Sequence, residues 1–275
     1  YDKFRQEGHQ LIDLLADYYK NIPTNNQPVP IQNTPNQLLD YWQKDFNSGQ
    51  IGDLMGHFAN IMACSNQINH PKCIGHQVAP PLPLNVLTNA LLTVLNGSIA
   101  IYEMGGTGLA MEKIVVDYFI NAFEMGDQAS GIFVSGGSLG TLTALLAARQ
   151  AKAGYDAWSE GNQSQMAIMV SEEAHYCVSR SAQMMGFGEG GVIKIPTDDQ
   201  LKIIPDQLEK LYQKAIEANK TVIAVVGNAC STSTGTYDDL LIMADFCEKY
   251  DLWFHIDGAH GGPAILSEKY KYLLK

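Results

Sequence analysis

The sequence predicts an α/β protein in which helices cover both faces of a mostly parallel sheet, preceded by a helical segment at the N-terminus. Three observations support this fold class. From Gly131 onward, short apolar runs alternate with stretches of helical periodicity, as in strands joined by crossover helices. Before Gly131, apolar residues recur mainly at helical spacing. The 275 residues are 46% hydrophobic and 17% charged, which suits a large globular core.

The first part of the chain is predicted to be helical. In residues 1–22 apolar side chains recur at helical spacing, and Pro23 ends the helix. Residues 23–36 are rich in Pro and Asn and are predicted to form an exposed connector. Further helices are predicted at residues 37–47, 51–64, 84–103 and 107–124. We therefore divide the chain into an N-terminal helical segment, residues 1–75, and a large domain, residues 76–275.

The large domain is predicted to contain the parallel sheet. The expected strands are the apolar runs at residues 131–134, 166–170, 192–195, 221–226 and 252–256. The helices expected between and after them lie at residues 138–153, 175–185, 205–219 and 237–250. Ligands of such sheets bind beyond the carboxyl ends of the strands, so the functional residues are sought there.

Charge, cysteines and hydropathy narrow the class of protein. The formal net charge of −11 argues against nucleic acid and against an anionic membrane surface as partners. The five cysteines form no C-x-x-C pair, which is typical of free thiols in a reducing compartment. The polar start of the chain does not look like a signal peptide, and no apolar run is long enough to span a bilayer. We therefore expect a cytoplasmic protein.

The stretch SGGSLG at residues 135–140 has three interpretations. It can form a phosphate cradle at a helix N-terminus, or only a serine cap with turn glycines. It also fits the G-x-S-x-G pattern of a serine hydrolase, with Ser138 as the nucleophile and Asp257 and His260 following in chain order. The hydrolase interpretation is weakened because the acid and the histidine would lie on one loop.

Three further strand ends carry polar side chains. His175 begins a predicted helix and is either a capping residue or a ligand-facing one. A run of hydroxyl side chains at residues 231–234 either caps a helix or binds a polar ligand. His255, Asp257 and His260 form either a metal site, a partner for a protonated heterocyclic nitrogen through Asp257, or an Asp-Gly turn.

Taken together, the motifs resemble the group II pyridoxal-phosphate-dependent amino-acid decarboxylases, which act on glutamate, aspartate, 2,4-diaminobutyrate and aromatic amino acids. The stretches that carry the resemblance occur in the family's order: HPKCIGH (70–76), YEMGGTGLAMEKIVVDYF (102–119), GIFVSGGSLGTLTALLAAR (131–149), AHYCVSRSA (174–182), STSTGTYDDL (231–240) and HIDGAHGG (255–262). The resemblance implies the fold type I of pyridoxal-phosphate-dependent transferases, pyridoxal 5′-phosphate as cofactor, and a homodimer with active sites at the subunit interface.

The resemblance also implies roles for individual residues. Asp257 would pair with the pyridine nitrogen of the cofactor, and Ala259 would lie under the ring. His175 would stack on the opposite face of the ring, and we take His175 and Asp257 as the catalytic residues. The remaining implied roles are phosphate binding by Gly137 and Ser138, a hydrogen bond near the ring oxygen or Asp257 from Thr232, and substrate recognition by His76.

The chain departs from the family pattern at the lysine that forms a Schiff base with the cofactor. The family has this lysine in a D-A-H-K-like motif downstream of the HIDGAHGG turn, and no such motif occurs here. Lys269, Lys271 and Lys275 lie in what looks like a peripheral helix, and by the resemblance we expect the chain to end before the family's C-terminal small domain. We expect an L-amino-acid α-decarboxylase of the 2,4-diaminobutyrate, aspartate or glutamate type, with this chain alone not competent. The alternatives are the serine hydrolase and a non-catalytic fragment of the fold.

Overall fold

The computed structural model describes residues 1–24, 28–50 and 52–274. The chain divides into two compact units, residues 1–96 and residues 97–275. The domain boundary predicted from the sequence lies after residue 75, whereas the compact units divide after Asn96. Within the described part of the chain, no helix is both long enough and apolar enough to cross a bilayer.

The first unit is helical, as predicted. Thr34 starts one helix with a reciprocal cap, in which its hydroxyl accepts from the backbone of Gln37 and the Gln37 side chain accepts from its N–H. Asn96 adopts a left-handed conformation with φ 48°, so the helix predicted to run to residue 103 ends before it. The helices are α1 (Asp2–Asn21), α2 (Pro35–Ser48), α3 (Leu54–Ala63) and α4 (Pro83–Leu95).

The second unit begins with a kinked helix, α5 (Tyr102–Ala122). The helices predicted at residues 84–103 and 107–124 imply a break between them, and the structure has a kink at Gly105, whose φ of −146° and ψ of 33° are not helical. A Cβ at this position would lie 2.2 Å from the backbone oxygen of Ser98, so the close approach of the two backbones requires glycine. The kink therefore replaces the expected separation of two helices.

The strand predicted at residues 131–134 is wrong, because this run is irregular. The N–H of Phe133 donates to Oε1 of Glu112 at 2.7 Å, where a strand residue would donate to a neighbouring strand. Ile132 and Phe133 remain 66% and 55% exposed. A run of four apolar residues is too short for its periodicity to distinguish a strand from an extended loop. Residues 131–134 form a loop because they pair with no neighbouring strand among the described residues.

The other four predicted strands are confirmed. The strands are β1 (Gln165–Ser171), β2 (Val192–Ile195), β3 (Lys220–Asn228) and β4 (Trp253–Asp257). Within the described residues they form a four-stranded parallel sheet in the order β2-β1-β3-β4. Asn228 pairs with Asp257 in the register, so β3 and β4 end side by side. Their following loops therefore start at the same edge of the sheet.

Helices cover both faces of the sheet, which confirms the predicted fold class. They are α6 (Gly137–Lys152), α7 (Ala157–Glu160), α8 (Tyr176–Met184), α9 (Asp206–Glu217) and α10 (Leu240–Lys249). On one face Ile168 of β1 packs with Leu145 of α6 and Val178 of α8. On the other face Met169 of β1 packs with side chains of α9 and α10, including Met243. Successive β1 residues thus serve two separate cores, as expected of a strand buried on both faces.

Candidate active site

The first component of the site is the start of α6. The helix begins at Gly137, and the N–H groups of Leu139 and Gly140 both donate to the oxygen of Gly136 at 3.1 Å. The backbone N–H groups of Gly137 and Ser138 have no acceptor within the helix. No side chain caps this end of the helix, since the preceding residue is Gly136. Ser138 adds a hydroxyl in the same turn. This arrangement suits a phosphate or carboxylate group, because the helix dipole and the free N–H groups both favour negative charge.

The second component is the turn that follows β4. Oδ1 of Asp257 accepts a hydrogen bond from the backbone N–H of Ala259 at 3.2 Å. A Cβ added to Gly137 would lie 3.1 Å from the Cβ of Ala259, which is tighter than an ordinary contact. The start of α6 and the Asp257 turn are therefore in direct proximity. The structure brings together the predicted anion cradle and the predicted carboxylate.

The third component is the start of α8. His175 is the N-cap residue of this helix, and its Nδ1 accepts from the backbone N–H of Cys177 at 3.3 Å. The acceptor role of Nδ1 leaves the proton of the neutral ring on Nε2. The ring of His175 lies 4.1 Å from that of Tyr176, measured between centroids. The capping interpretation is therefore confirmed, while stacking of His175 on a cofactor ring stays a prediction.

Cys177 is a residue of this region that the sequence analysis did not select. Its thiol is buried and donates to Oγ1 of Thr141 on α6 at 3.7 Å. Burial raises the pKa of the thiol, the Asp257 charge raises it further, and hydrogen bonds with Thr141 and Ser138 oppose this. Cys177 thus connects the start of α8 with the start of α6. The only hint of its role in the sequence is its position two residues after His175. A single cysteine forms no motif, so this hint was not enough to select it.

The fourth component is the loop after β3, which carries the predicted hydroxyl run. Oγ of the buried Ser231 donates to the backbone oxygen of Glu173 at 2.8 Å, so this hydroxyl holds the loop to the segment before α8. Thr232 is half-buried beside it. Asp238 ends the loop and is 5% exposed, and its carboxylate accepts from the N–H groups of Asn228 and Ile203. The hydroxyl of Ser231 therefore fixes the loop, and the contact predicted for Thr232 stays a prediction.

His255 lies two residues before Asp257, on the same strand. Burial lowers the pKa of its imidazole, and the Asp257 charge partly opposes that shift. A low pKa keeps the ring neutral near pH 7. Within the described residues no group of three His, Cys, Asp or Glu side chains is placed to hold a metal ion. His260 is exposed in the turn that follows.

The hydrolase interpretation requires a histidine next to Ser138. Among the described residues, Ser138 makes no hydrogen bond to a histidine, and its hydroxyl interacts with the Cys177 thiol. The predicted acid and base, Asp257 and His260, lie three residues apart on one turn. The geometry expected of a serine nucleophile and its base is therefore not assembled in this part of the chain.

The remaining residues named from the sequence are His76 and the three lysines near the end of the chain. His76 belongs to the first compact unit, is exposed and has a left-handed backbone with φ 64°. Lys271 pairs with Glu268 at 2.7 Å, and Lys269 lies 4.8 Å from the centroid of the Tyr270 ring. Lys275 lies outside the described residues. Both described lysines are therefore engaged near the surface, but the expected single helix is a turn at Lys269 followed by a short 3₁₀ helix, Lys271–Leu274.

The components fit pyridoxal phosphate. The free N–H groups at the start of α6 suit its phosphate, and a Cβ added at Gly137 would already crowd Ala259 at 3.1 Å. A carboxylate at position 257 suits a protonated ring nitrogen. The fold and these groups together define an α/β domain that binds a phosphorylated cofactor at the carboxyl ends of parallel strands.

Comparison with known proteins identifies the family. The model of the pyridoxal-dependent decarboxylase conserved domain matches residues 47–275. The chain therefore belongs to the pyridoxal-dependent decarboxylase family. This confirms the predicted family and, with it, pyridoxal phosphate as the family's cofactor.

Individual relatives agree with this assignment. The chain is 28% identical over 278 residues to an aromatic-L-amino-acid decarboxylase of Bacillus atrophaeus, covering 100% of this chain and 56% of the relative. It is 31% identical to an acidic amino acid decarboxylase of Xenopus tropicalis, covering 98% of this chain and 52% of the relative. The chain thus spans about half the length of these curated relatives.

A solved structure shows the same architecture. It is the glutamate decarboxylase domain of a diaminobutyrate-pyruvate transaminase and L-2,4-diaminobutyrate decarboxylase from Vibrio parahaemolyticus. The TM-score is 0.87 at 26% sequence identity, and the match covers 99% of this chain and 61% of that one. This similarity confirms the predicted fold over almost the whole chain.

Proposed function

We propose that the protein containing this chain is a pyridoxal-phosphate-dependent L-amino-acid α-decarboxylase, which releases CO₂ and an amine. One observation carries the proposal. The anion-binding start of α6 lies next to the Asp257 turn, with Ala259 at 3.1 Å from the position of a Gly137 Cβ. Membership of the decarboxylase family supports the reaction type.

Each residue of the site has a defined task in this proposal. Bound pyridoxal phosphate supplies a ring that accepts the electron pair released when the bond to the carboxylate breaks. Asp257 holds a proton on the ring nitrogen, which keeps the ring electron-poor. The first-turn N–H groups, with Ser138, bind the phosphate and orient the ring. His175 would cover one face of the ring, and the small side chain of Ala259 would leave room at the other.

The hydrogen bonds of the described structure support these tasks. The bond from the Ala259 N–H fixes one oxygen of the Asp257 carboxylate, which limits its rotation. The cap formed by Nδ1 of His175 fixes that imidazole at the start of α8. Thr232 is proposed to bond near the ring oxygen or to support Asp257. Preorganised groups of this kind lower the cost of reorganisation during the reaction.

For the substrate, we propose an amino acid of the 2,4-diaminobutyrate, aspartate or glutamate type. The relative from Vibrio parahaemolyticus is named for 2,4-diaminobutyrate, and the one from Xenopus tropicalis for acidic amino acids. An aromatic-amino-acid decarboxylase is also among the relatives, so the side-chain class is the finer part of the proposal. His76 is proposed to contribute to substrate recognition.

We also propose that the protein works as a cytoplasmic homodimer. The five cysteines, all described, are free thiols, which suits a reducing compartment. The dimer rests on the family resemblance of the motifs. Size-exclusion chromatography with light scattering on the complete protein tests the dimer, and a monomeric mass at micromolar concentration would contradict it.

The function is tested by CO₂ release from a panel of L-amino acids, using the complete protein reconstituted with pyridoxal phosphate. We expect a visible absorbance band that borohydride abolishes, and release of CO₂ from aspartate, glutamate or 2,4-diaminobutyrate in preference to aromatic amino acids. A protein that remains colourless with added cofactor would refute the proposed reaction. Preference for aromatic substrates would refute only the substrate class, and labelling of Ser138 by a fluorophosphonate would instead support the hydrolase.

A further inference from the structure

The loops that follow β3 and β4 are joined by a tyrosine hydroxyl. Oη of Tyr237 donates to the backbone oxygen of Gly261 at 3.0 Å. A Cβ at Gly261 would lie 2.4 Å from that hydroxyl, 2.5 Å from the nitrogen of Cys230 and 2.6 Å from the oxygen of Ala229. The two loops therefore meet backbone to backbone, and a glycine is required at the contact.

Tyr237 is itself held firmly. The next residue, Asp238, is buried, and its N–H donates to the oxygen of Asn228 at 3.0 Å. Its carboxylate also accepts from the Asn228 N–H at 2.8 Å. The backbone next to Tyr237 is therefore hydrogen-bonded to the last residue of β3. This limits the movement of the Tyr237 hydroxyl, which can hold the neighbouring turn in place.

The environment keeps the hydroxyl protonated. Burial raises the pKa of Tyr237, and the nearby Cys230 thiol, which is hydrogen-bonded to it, raises the pKa further. Burial likewise raises the pKa of Cys230. Both groups are therefore neutral at physiological pH, and Tyr237 can donate to Gly261 throughout the range in which a decarboxylase works.

The turn that receives this hydrogen bond carries two predicted cofactor contacts. It runs from Asp257 through Ala259 to Gly262, whose N–H donates to the oxygen of Gly258 at 2.8 Å. The oxygen of Gly261 also accepts from the N–H of Ala264 at 3.0 Å. Without the tyrosine hydroxyl the turn retains these internal bonds and the bond from the Ala229 N–H to the oxygen of Asp257 at 2.8 Å, but it loses its side-chain hydrogen bond to the β3 loop.

We propose that Tyr237 is a positioning residue that holds the Asp257–Gly262 turn in register with the loop after β3, and thereby sets the affinity for the cofactor. The inference rests on the proposed function. Tyr237 acts through the Gly261 carbonyl and needs no contact with the cofactor itself. Its loss is expected to let Asp257 and Ala259 shift relative to the start of α6, while the fold persists.

The test compares Tyr237→Phe with Tyr155→Phe in the complete protein. Tyr155 is also half-buried, and its Oη accepts from the backbone N–H of Gln163 at 2.7 Å, so both variants lose one hydroxyl–backbone hydrogen bond. Absorbance titration with pyridoxal phosphate gives the Kd for the cofactor. We expect Tyr237→Phe to weaken binding about tenfold, the order of effect of one hydrogen bond that fixes a charged group. Tyr155→Phe should remain within about twofold of the wild type.

A second readout separates positioning from general stability. If the Asp257 turn moves, the pH dependence of the bound cofactor's absorbance band should change in Tyr237→Phe and not in Tyr155→Phe. Equal Kd values for Tyr237→Phe and wild type, or equal weakening in both variants, would overturn the inference. Failure of Tyr237→Phe to fold would overturn it as well, because the fold is expected to persist. A wild-type protein that does not take up cofactor would instead refute the proposed function on which the inference rests.

Discussion

The helices of residues 1–122 and the sheet region that follows bury their apolar side chains to very different degrees. None of the described residues in α1 to α5 is buried. In α4, for example, Leu84, Leu87 and Leu91 are between 54% and 66% exposed. By contrast, the last six residues of β1 are all buried, and so are the last seven of β3. The sheet region therefore builds its own core, whereas the helices leave much of their apolar surface uncovered within this chain.

This difference in burial explains where the candidate site residues are found. The residues of the candidate site, apart from His76, follow strands or begin helices of the region with the packed core. A packed core holds side chains within small distances of a productive geometry, which loosely packed helices cannot do. Four predictions test or sharpen this contrast, beginning with the largest effect.

The largest effect is expected for Asp257→Ala. The change removes the carboxylate proposed to keep the cofactor nitrogen protonated, and CO₂ release should fall by about 10²–10³-fold, as for other preorganised electrostatic groups. Because the side chain is half-buried at the end of β4, circular dichroism should show a folded protein. Asp199→Ala, at an exposed position, is the matched control and should retain activity. Turnover of Asp257→Ala at the wild-type rate would refute its assigned role.

The contrast in burial is tested by two leucine-to-alanine changes in helices. Leu145 of α6 is 0% exposed, and its truncation should cost about 3 kcal/mol of unfolding free energy through lost burial and a residual cavity. Leu84 of α4 is 66% exposed, and its truncation should cost no more than about 0.5 kcal/mol. Urea midpoints of the complete protein measure both. A large loss at Leu84 would break the comparison, because it would show that this surface is covered in the assembled protein.

A smaller effect is expected for Gly137→Ala at the start of α6. The new Cβ would lie 3.1 Å from that of Ala259 and would narrow the cradle, so cofactor affinity should fall about tenfold. Gly140→Ala in the same helix is the control, since its Cβ would meet Val134 at an ordinary 3.5 Å. Absorbance titration with pyridoxal phosphate measures both. Equal affinities for the two variants would show that the contact between α6 and the Asp257 turn does not limit binding.

The smallest effect concerns a charge cluster between α9 and α10. Hydrogen bonds from Tyr250, Lys249 and Gln213 lower the pKa of Glu209 from 4.5 to about 2. A carboxyl whose pKa is lower in the folded state stabilises the protein above the unfolded value, and this contribution disappears as the pH falls from 4.5 toward about 2.

Glu209→Gln should therefore destabilise the protein slightly at neutral pH, and the difference in urea midpoint from wild type should shrink between about pH 5 and pH 3. Glu217→Gln, exposed on the same helix, should show no such pH dependence. A difference for Glu209→Gln that stays constant over this range would contradict the assigned cause. Comparison of the two variants shows how much surface charge contributes to the stability of the sheet region, beyond the contribution of its core.

Several parts of the site could be predicted from the sequence because they depend on local pattern. The start of α6 was placed within one residue by the glycine pair before an apolar periodic run. The sequence predicts the start of α10 at residue 237, whereas the helix begins at Leu240 because Asp239 is its N-cap and accepts from the N–H of Ile242. The stretch TYDD offers more than one acidic candidate for this cap. The N-cap must be a side chain that can accept from the first turn of the helix. Asp238 cannot do this, because its carboxylate already accepts from the N–H of Asn228 at the end of β3.

By itself, the sequence determined the alternation of strands and helices, the family and the residue types at the strand ends. These follow from periodicity and from motifs that are local in the chain. Only the tertiary structure decided that residues 131–134 form no strand, that Cys177 connects α8 to α6, and that Tyr237 reaches Gly261. The physical reason is that hydrogen bonds between residues 24 to 36 positions apart depend on how elements pack, and side chains at such separations show no signal in one sequence.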